Sequence, residues 1–255
     1  MTAALSARGL TKRWGPFVAN DGIDLDLARG VRHALIGPNG AGKTTLINLL
    51  CGVFPPSAGE VFLGGEAITH LPQPRRVKRG LTRTFQVNSL FWGLSVLESV
   101  VLALCERNGR GGSWLRPVAR QQSEHDEAHA LLCELGLDGV ALTLTKHLPY
   151  GKQRLVEIAL GLATKPQVLI LDEPTAGISV AESGELFDVI ARLPEAVTVL
   201  FVEHDMELVF RFAQRISVLH EGRVLREGTP GQIAEDPRVR EVYLGEAQHA
   251  ERQRG

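Results

Sequence analysis

The sequence has little cysteine and almost no net charge. Its 255 residues contain three cysteines (Cys51, Cys105 and Cys133), which are scattered without the spacing of a metal-binding motif. We therefore expect three reduced, buried thiols rather than a disulfide framework. The formal net charge of −1 gives no electrostatic reason to expect binding to nucleic acid.

Long apolar runs are also absent. A membrane-spanning helix needs about 20 consecutive apolar residues, whereas the longest runs, such as residues 168–171 and 197–202, have the length of buried strands. Residues 1–9 lack the basic and then apolar layout of a signal peptide. We therefore expect a soluble globular protein that takes part in membrane processes only through partners.

The most specific motif is a glycine-rich segment between a short apolar run and a helical pattern. The run covers residues 34–36, and the helical pattern begins at Leu46. The segment consists of Gly37, Pro38, Asn39, Gly40, Ala41, Gly42, Lys43, Thr44 and Thr45. It matches the phosphate-loop pattern G-x-x-x-x-G-K-[ST] in its expected context, with a strand before it and a helix after it. The sequence therefore predicts that the chain binds a nucleoside triphosphate.

Each residue type in this loop has a chemical reason. Glycines let backbone N–H groups face phosphates at close range, and the start of the following helix adds partial positive charge. Lys43 is predicted to reach the β- and γ-phosphates, and Thr44 to bind Mg²⁺ through its hydroxyl. The alternative is a glycine-rich turn from strand to helix that merely tolerates a lysine.

Two acidic residues follow a second apolar run. Residues 168–171 resemble a buried parallel strand and lead into Asp172 and Glu173. Beside a phosphate loop, Asp172 is predicted to bind Mg²⁺ directly or through water, and Glu173 to polarise the attacking water. Alternatively, the two acids cap the helix that follows. His204, after a further apolar strand, is either a structural histidine or part of the same site.

The N-terminal region predicts strands, and a later segment is strongly basic. Residues 5–14 and 18–27 alternate loosely between apolar and polar types around a Gly-Pro turn, which predicts an antiparallel pair. Trp14, just before the turn, either packs against the core or stacks on adenine. Residues 72–79 carry four basic side chains and predict a solvated helix face.

Helical patterns dominate the middle of the chain. We therefore assign residues 1–86 and 164–244 to a nucleotide-binding α/β core that includes an antiparallel β subdomain. Residues 87–163 form a predicted helical insertion that contains the signature-like segment discussed next. Residues 245–255 form a predicted polar tail.

Taken in order, these segments resemble the ATP-binding subunit of an ATP-binding-cassette (ABC) transporter over residues 5–244. The matching pieces are Trp14, residues 37–45, Gln86, residues 148–153 (the signature segment of the family), Asp172 with Glu173, and His204. The resemblance implies an α/β fold: a P-loop NTPase (RecA-like) core with an N-terminal antiparallel β subdomain and an inserted helical subdomain. It also implies an ATPase that uses ATP and Mg²⁺.

The resemblance further implies that two such subunits close head to tail on two ATP molecules. Each ATP would lie on one subunit's phosphate loop and be capped by the other's signature segment, here Tyr150, Gly151 and Lys152. Lys43 would act in catalysis, Glu173 as the general base, and His204 on the γ-phosphate. Gln86 would sense the γ-phosphate or Mg²⁺ and contact the membrane partner. Trp14 would lie on the adenine.

Several segments look like the branched-chain amino acid uptake class. They are residues 83–86, 150–158, 172–177, 203–206, 227–230 and 236–245. This class implies a second ABC ATPase subunit (identical or different), two transmembrane permeases and, indirectly, a periplasmic solute-binding protein. It implies a peripheral position on the cytoplasmic face of the inner membrane, and no nucleic acid partner.

Two departures from the family pattern affect the signature and the segment after Glu173. Pro149 and Lys152 replace the common serine and glutamine, and Pro149 offers neither a hydroxyl nor a backbone N–H. The aspartate common after Gly177 is missing. We therefore expect an altered composite site. The competing classes are a soluble ABC-type ATPase acting on ribosomes or DNA without a permease, and a small P-loop kinase.

Overall fold

The computed structural model describes residues 3–84, 90–109 and 122–243. The strands are β1 (Leu5–Trp14), β2 (Phe17–Leu27), β3 (Arg32–Ile36), β4 (Ala58–Leu63), β5 (Glu66–Ala67), β6 (Leu81–Arg83), β7 (Val168–Asp172), β8 (Thr198–Val202), β9 (Arg215–His220) and β10 (Arg223–Gly228). The helices are α1 (Lys43–Cys51), α2 (Gln73–Lys78), α3 (Val96–Arg107), α4 (Gln122–Glu134), α5 (Tyr150–Ala163), α6 (Val180–Arg192), α7 (Met206–Phe212) and α8 (Pro230–Glu235).

An antiparallel sheet of four strands, in the order β2-β1-β4-β5, forms from the N-terminal region. The predicted strand pair is confirmed: Leu5 lies opposite Leu27, and Trp14 lies opposite Phe17. Alternate residues of β1 are buried at its start, as a sheet with one solvated face requires. This sheet packs on one side of the molecule's second sheet through a shared apolar cluster that includes α1.

The second sheet has six strands in the order β10-β9-β3-β8-β7-β6. All neighbouring pairs are parallel except β9 with β10. Strands β3, β7 and β8 are buried at every position, because both faces of the sheet are covered. The predicted α/β P-loop fold is therefore confirmed. The carboxyl ends of β3, β6, β7 and β8 meet at one edge of the sheet, where ligands of parallel sheets bind.

Helix boundaries follow the capping residues. Ser95 and Glu98 form a reciprocal capping box, so α3 begins at Val96 and the apolar Leu94 lies before the helix. The same arrangement of Ser179 with Glu182 starts α6. The division into a core and a helical insertion stays a prediction, and the predicted tail lies outside the described residues.

Two expectations about burial were wrong. Arg76, in the basic segment, is buried and donates to the carbonyls of Leu49, Leu50, Thr69 and Leu71. One of the four basic residues therefore faces the interior, because one side of α2 packs against the protein while the other side faces solvent. Cys133 is exposed, whereas the other two cysteines are buried as expected.

Candidate nucleotide site

The glycine-rich loop follows β3 directly and is crowded by its neighbours. A Cβ atom on Gly37 would lie 2.1 Å from the carbonyl oxygen of Leu219. Gly42 has φ +98°, and a Cβ there would lie 2.5 Å from the carbonyl oxygen of Ala19. These two positions therefore exclude any larger residue, and the loop takes the tight path that phosphate binding by backbone N–H groups requires.

The side chain of Lys43 lies inside this loop. Lys43 is the first residue of α1 and is buried, and its Nζ donates to the carbonyl oxygens of Gly37 (2.6 Å) and Pro38 (2.9 Å). The first turn of α1 carries no acidic residue, so the partial positive charge of the helix start is not offset locally. Thr44, the next residue, is exposed. A lysine, a helix start and an exposed hydroxyl together suit a polyphosphate.

Two residues with no assigned role support the loop from outside. Asn20 on β2 is fully buried, and its Nδ2 donates to the carbonyl oxygen of Gly42 (3.2 Å). The backbone N–H of Gly222, in the turn between β9 and β10, donates to the carbonyl oxygen of Ala41 (3.0 Å). A polar asparagine at an inward position of a strand was the sequence signal for the first of these contacts.

Asp172 ends β7, two strands away from the phosphate loop. Because β8 lies between β3 and β7, the separation is about 10 Å. The side chain of Asp172 is 1% exposed, and its Oδ2 lies 2.5 Å from Nη2 of Arg83, which also donates to Oδ1 of Asn48. Arg83 received no individual role from the sequence. It is the last residue of β6, and its partner is 89 residues away.

The second oxygen of this carboxylate suits a cation. Oδ1 of Asp172 is buried and accepts no hydrogen bond from any described residue. A buried carboxylate oxygen without a donor is costly, and a metal ion or its bound water would satisfy it. Mg²⁺ commonly uses one or two carboxylates together with substrate phosphates. Asp172 therefore fits a magnesium site that is completed by nucleotide.

Glu173 and His204 are in direct contact. Nε2 of His204 lies 2.9 Å from Oε1 of Glu173, and both side chains are partly exposed. Glu173 has φ +50°, a conformation that is uncommon for residues other than glycine, and its N–H donates to the carbonyl oxygen of Val202 (3.0 Å). The fold thus brings together two residues predicted separately from two strands. Their exposed carboxylate–imidazole pair is able to accept a proton from water.

Glu203 connects the ends of the same two strands. Its buried Oε1 accepts hydrogen bonds from the N–H (3.0 Å) and Oγ1 (2.7 Å) of Thr175. Burial raises the pKa of Glu203 above the usual value for glutamate, against the opposing effect of these hydrogen bonds. This residue holds the segment after Glu173 beside β8. The sequence showed it only as a neighbour of His204.

The signature-like residues occupy the start of α5. Nζ of Lys152 donates to the carbonyl oxygen of Gly136 (3.4 Å), and the hydroxyl of Tyr150 accepts from Nη2 of Arg154 (2.7 Å). A Cβ atom on Gly151 would lie 2.9 Å from Oε1 of Glu182 on α6. Within the described parts of the chain, these residues therefore contact α5 itself, α6 and the turn at Gly136 rather than residues 37–45.

Trp14 is about half exposed, and one side of its ring is occupied. Nζ of Lys12 lies 4.2 Å from the ring centroid, and Phe54 packs edge-to-face at 5.2 Å. This geometry holds an aromatic platform in place without assigning it a ligand. Gln86, the remaining predicted site residue, lies outside the described residues.

Comparison with known proteins shows which family this chain resembles. A model described as "ABC transporter" matches residues 20–176, and one described as "Branched-chain amino acid ATP-binding cassette transporter" matches residues 223–249. The chain is 38% identical to the high-affinity branched-chain amino acid transport ATP-binding protein BraF of Pseudomonas aeruginosa. It is 40% identical to LivG of Escherichia coli, which carries the same description. Both alignments cover 95% of this chain and 98% of the relative.

Solved structures with a similar fold are cassettes of the same family. The ADP conformation of MJ1267, an ATP-binding cassette of an ABC transporter, is 27% identical and superposes with a TM-score of 0.85, covering 96% of this chain and all of that one. A dimeric bacterial ABC transporter cassette, MJ0796, is 26% identical with a TM-score of 0.74, covering 89% and 98% of the two chains. None of the described helices has the length and hydropathy of a membrane span.

Proposed function

Because this chain belongs to the ABC transporter family of ATP-hydrolysing cassette subunits, we propose that it powers the uptake of branched-chain or related amino acids. The observation that carries the proposal is the identity of 38–40% with BraF and LivG over nearly the full length of both partners. The match of residues 223–249 to the branched-chain cassette model supports it independently of the phosphate loop. The solute itself would be selected by other subunits.

The residues present fit ATP with Mg²⁺. In our proposal the loop N–H groups and Lys43 bind the β- and γ-phosphates, while Thr44 and Asp172 hold the ion. The buried, unsatisfied Oδ1 of Asp172 supports this assignment. Magnesium would supply charge neutralisation on the transferring phosphoryl group. The exposed face of Trp14 would carry the adenine, and Gln86 would sense the ion or the γ-phosphate.

Hydrolysis requires positioning of water more than covalent chemistry. We assign the general base to Glu173, whose partly exposed carboxylate directly follows β7 and is oriented by His204 at 2.9 Å. In our proposal the imidazole also donates a hydrogen bond to the γ-phosphate once ATP is bound. Glu203 and the backbone bond from Glu173 to Val202 hold the base at the end of β7.

The proposed assembly contains a second cassette subunit, two transmembrane permeases and, indirectly, a periplasmic solute-binding protein. A dimeric cassette among the structural relatives supports pairing. Tyr150, Gly151 and Lys152 would cap the ATP of the second cassette, since their own contacts avoid the phosphate loop. The subunit would lie peripherally on the cytoplasmic face of the inner membrane, with residues 1–86 and 164–244 as its core and residues 87–163 as its helical insertion.

A soluble ABC ATPase that acts on ribosomes or DNA is the disfavoured alternative. The full-length identity is to transporter subunits, and the net charge of −1 offers no attraction to nucleic acid.

Affinity purification of the tagged protein from gently solubilised native membranes tests the proposal. Mass spectrometry should identify two multi-span membrane proteins and a second cassette subunit. A tagged Lys43→Ala variant is the control that shows which partner proteins co-purify only when the chain can bind ATP. Recovery of ribosomal or DNA-repair proteins without any membrane protein would contradict the transporter assignment and leave the ATP site in place.

A further inference from the structure

A buried arginine near the start of α5 joins this helix to the turn that follows β7. Arg154 is 5% exposed. Its Nη1 donates to Oε2 of Glu157 (2.8 Å), and its Nη2 donates to the hydroxyl of Tyr150 (2.7 Å) and to the carbonyl oxygen of Ala176 (3.5 Å). The planar guanidinium suits this task, because its donors point in fixed directions to several acceptors at once.

The ring of Tyr150 also contacts the turn that follows Glu173. A Cβ atom on Gly177 would lie 3.0 Å from Cε1 of Tyr150, and Gly177 has φ +82°, so both the backbone and the available space favour glycine. The ring therefore packs directly on the backbone of this turn. Together with Arg154, it connects the first turn of α5 to residues 176–177.

This turn is continuous with the proposed base. The N–H of Ala176 donates to the carbonyl oxygen of Glu173 (3.1 Å), and Glu173 itself has a positive φ that its surroundings must maintain. A displacement of the turn would therefore shift the Glu173 carboxylate. Misplacing a catalytic group by about 1 Å can cost about 100-fold in rate.

The buried guanidinium of Arg154 is paired with the carboxylate of Glu157. A buried guanidinium is costly unless a carboxylate and further hydrogen bonds compensate it, and Glu157 supplies that carboxylate. Burial raises the pKa of Glu157, whereas Arg154 opposes this rise. Removal of Arg154 would leave the Glu157 carboxylate buried without its partner, so truncation to alanine is a poor test.

We propose that Arg154 is a positioning residue that locks Tyr150 onto the Ala176–Gly177 turn. The segment that would cap the partner's ATP and the segment that carries Glu173 then move as one unit. This inference rests on the proposed function, because it gives both segments their roles in ATP hydrolysis. Closure on one ATP would thereby align the base that acts on the other.

Two conservative variants test the lock. Tyr150→Phe keeps the ring on Gly177 and removes only the hydroxyl, and Arg154→Lys keeps the charge and removes the planar fork. Arg107→Lys is the matched control, because Arg107 pairs with Glu127 and with the carbonyl of Ala163 at the other end of α5. The readouts are the kcat and KM of ATP hydrolysis by the purified full-length chain in its native assembly, and binding of a fluorescent ATP analogue.

We expect each test variant to lower kcat about tenfold or more, with KM and analogue affinity within about twofold of wild type. The double variant should be no slower than the slower single variant, because both act through one contact. The inference would be overturned if kcat fell no more than in Arg107→Lys, if the two decreases in kcat were additive in the double variant, or if binding of the ATP analogue weakened in parallel with kcat. If Arg154→Lys does not fold, Tyr150→Phe alone decides. If no permease co-purifies with the chain, the proposed transport function fails. The ATPase rates of the variants can still be compared in that case, so the inference about Arg154 is tested separately.

Discussion

At the residue scale, the proposed chemistry depends on the contact between Glu173 and His204. Glu173→Gln keeps the shape of the side chain and an oxygen able to bond His204, but it removes the basic carboxylate. We expect ATP binding to be retained and turnover to fall by about 10²–10⁴-fold, with the closed pair of subunits accumulating on ATP. Steady-state ATPase assays and size-exclusion chromatography with ATP measure both effects.

The control for this variant is Glu185→Gln, an exposed glutamate on α6. It should hydrolyse ATP at the wild-type rate. Normal turnover by Glu173→Gln would show that another group acts as the base.

Lys43 has two tasks in the phosphate loop. Lys43→Ala removes the positive charge offered to phosphates and also the hydrogen bonds that tie the loop to the carbonyls of Gly37 and Pro38. We expect weaker ATP binding and loss of turnover, as measured by equilibrium binding and by phosphate release. Lys146→Ala, at an exposed lysine, is the control. Hydrolysis at the wild-type rate in Lys43→Ala would rule out the phosphate-loop assignment.

The sequence predicted those site residues that belong to a short motif of neighbouring residues. The loop, Asp172 with Glu173, and His204 all stand beside recognisable strands, so pattern and chemistry agree. The supporting residues were missed because their partners are far away in the chain: Arg83 bonds a residue 89 positions away, Glu203 one 28 positions away, and Asn20 one 22 positions away. Such pairings become visible only when the strands are placed side by side.

At the element scale, α5 begins differently from its neighbours. Helices α3, α6 and α8 start with a side-chain capping box, whereas Pro149 caps α5 without a side-chain hydrogen bond. Pro149 has φ −55° and ψ 152°, which a serine cap also adopts. A serine would add a hydroxyl both for the helix start and for a partner's γ-phosphate.

Pro149→Ser should therefore raise the ATPase rate of the assembled pair and stabilise α5 by about 1 kcal/mol. Steady-state hydrolysis and urea unfolding measure the two effects. Pro194→Ser, in the exposed connection before β8, should change neither. An unchanged or lower ATPase rate in Pro149→Ser would count against an altered composite site.

Element boundaries were less predictable than element types. The helical patterns in the middle of the chain did not give the start of α3, which the Ser95 cap sets at Val96, because the serine side chain satisfies a free N–H group there. Charge composition placed the basic segment in solvent, yet helical geometry turns Arg76 toward the interior carbonyls. Composition gives an average environment, whereas the direction of one side chain depends on packing.

At the scale of the whole molecule, the parallel sheet gathers chemistry from distant parts of the chain. Asp172, Glu173 and His204 reach the phosphate-loop edge because β7, β8 and β3 are adjacent and parallel. The α/β architecture was predicted from the family resemblance that these motifs carry, with which the apolar strands and helical patterns agree. The strand order was not predicted, because residue patterns do not specify which strands become neighbours.

The stability of the whole fold should depend on pH through His33 on β3. Its buried Nε2 lies 2.8 Å from Oγ of Ser217, which donates to Glu227. Burial lowers the pKa of His33 to about 4, with Glu227 opposing this shift and Arg215 reinforcing it. An unfolded histidine takes up a proton near pH 6.5. Between these two values the unfolded state binds more protons, so stability falls as the pH falls.

We expect this histidine to contribute a loss of roughly 3 kcal/mol in the free energy of unfolding between pH 6.5 and 4. Urea denaturation at a series of pH values measures it. His33→Gln should show a shallower pH dependence, and His70→Gln, at an exposed histidine, should match wild type. Identical slopes for His33→Gln and wild type would contradict the buried, uncharged state of His33.

In our proposal, ATP hydrolysis by this chain drives amino acid uptake. The most direct measurement is uptake of radiolabelled leucine by cells that lack the gene and carry either the wild-type chain or Glu173→Gln, expressed at equal levels. We expect the wild-type chain to restore uptake and Glu173→Gln to fail to do so, although this variant binds ATP. Equal uptake in the two strains would contradict the proposed role of Glu173. No uptake of any branched-chain amino acid in either strain would contradict the proposed transport function.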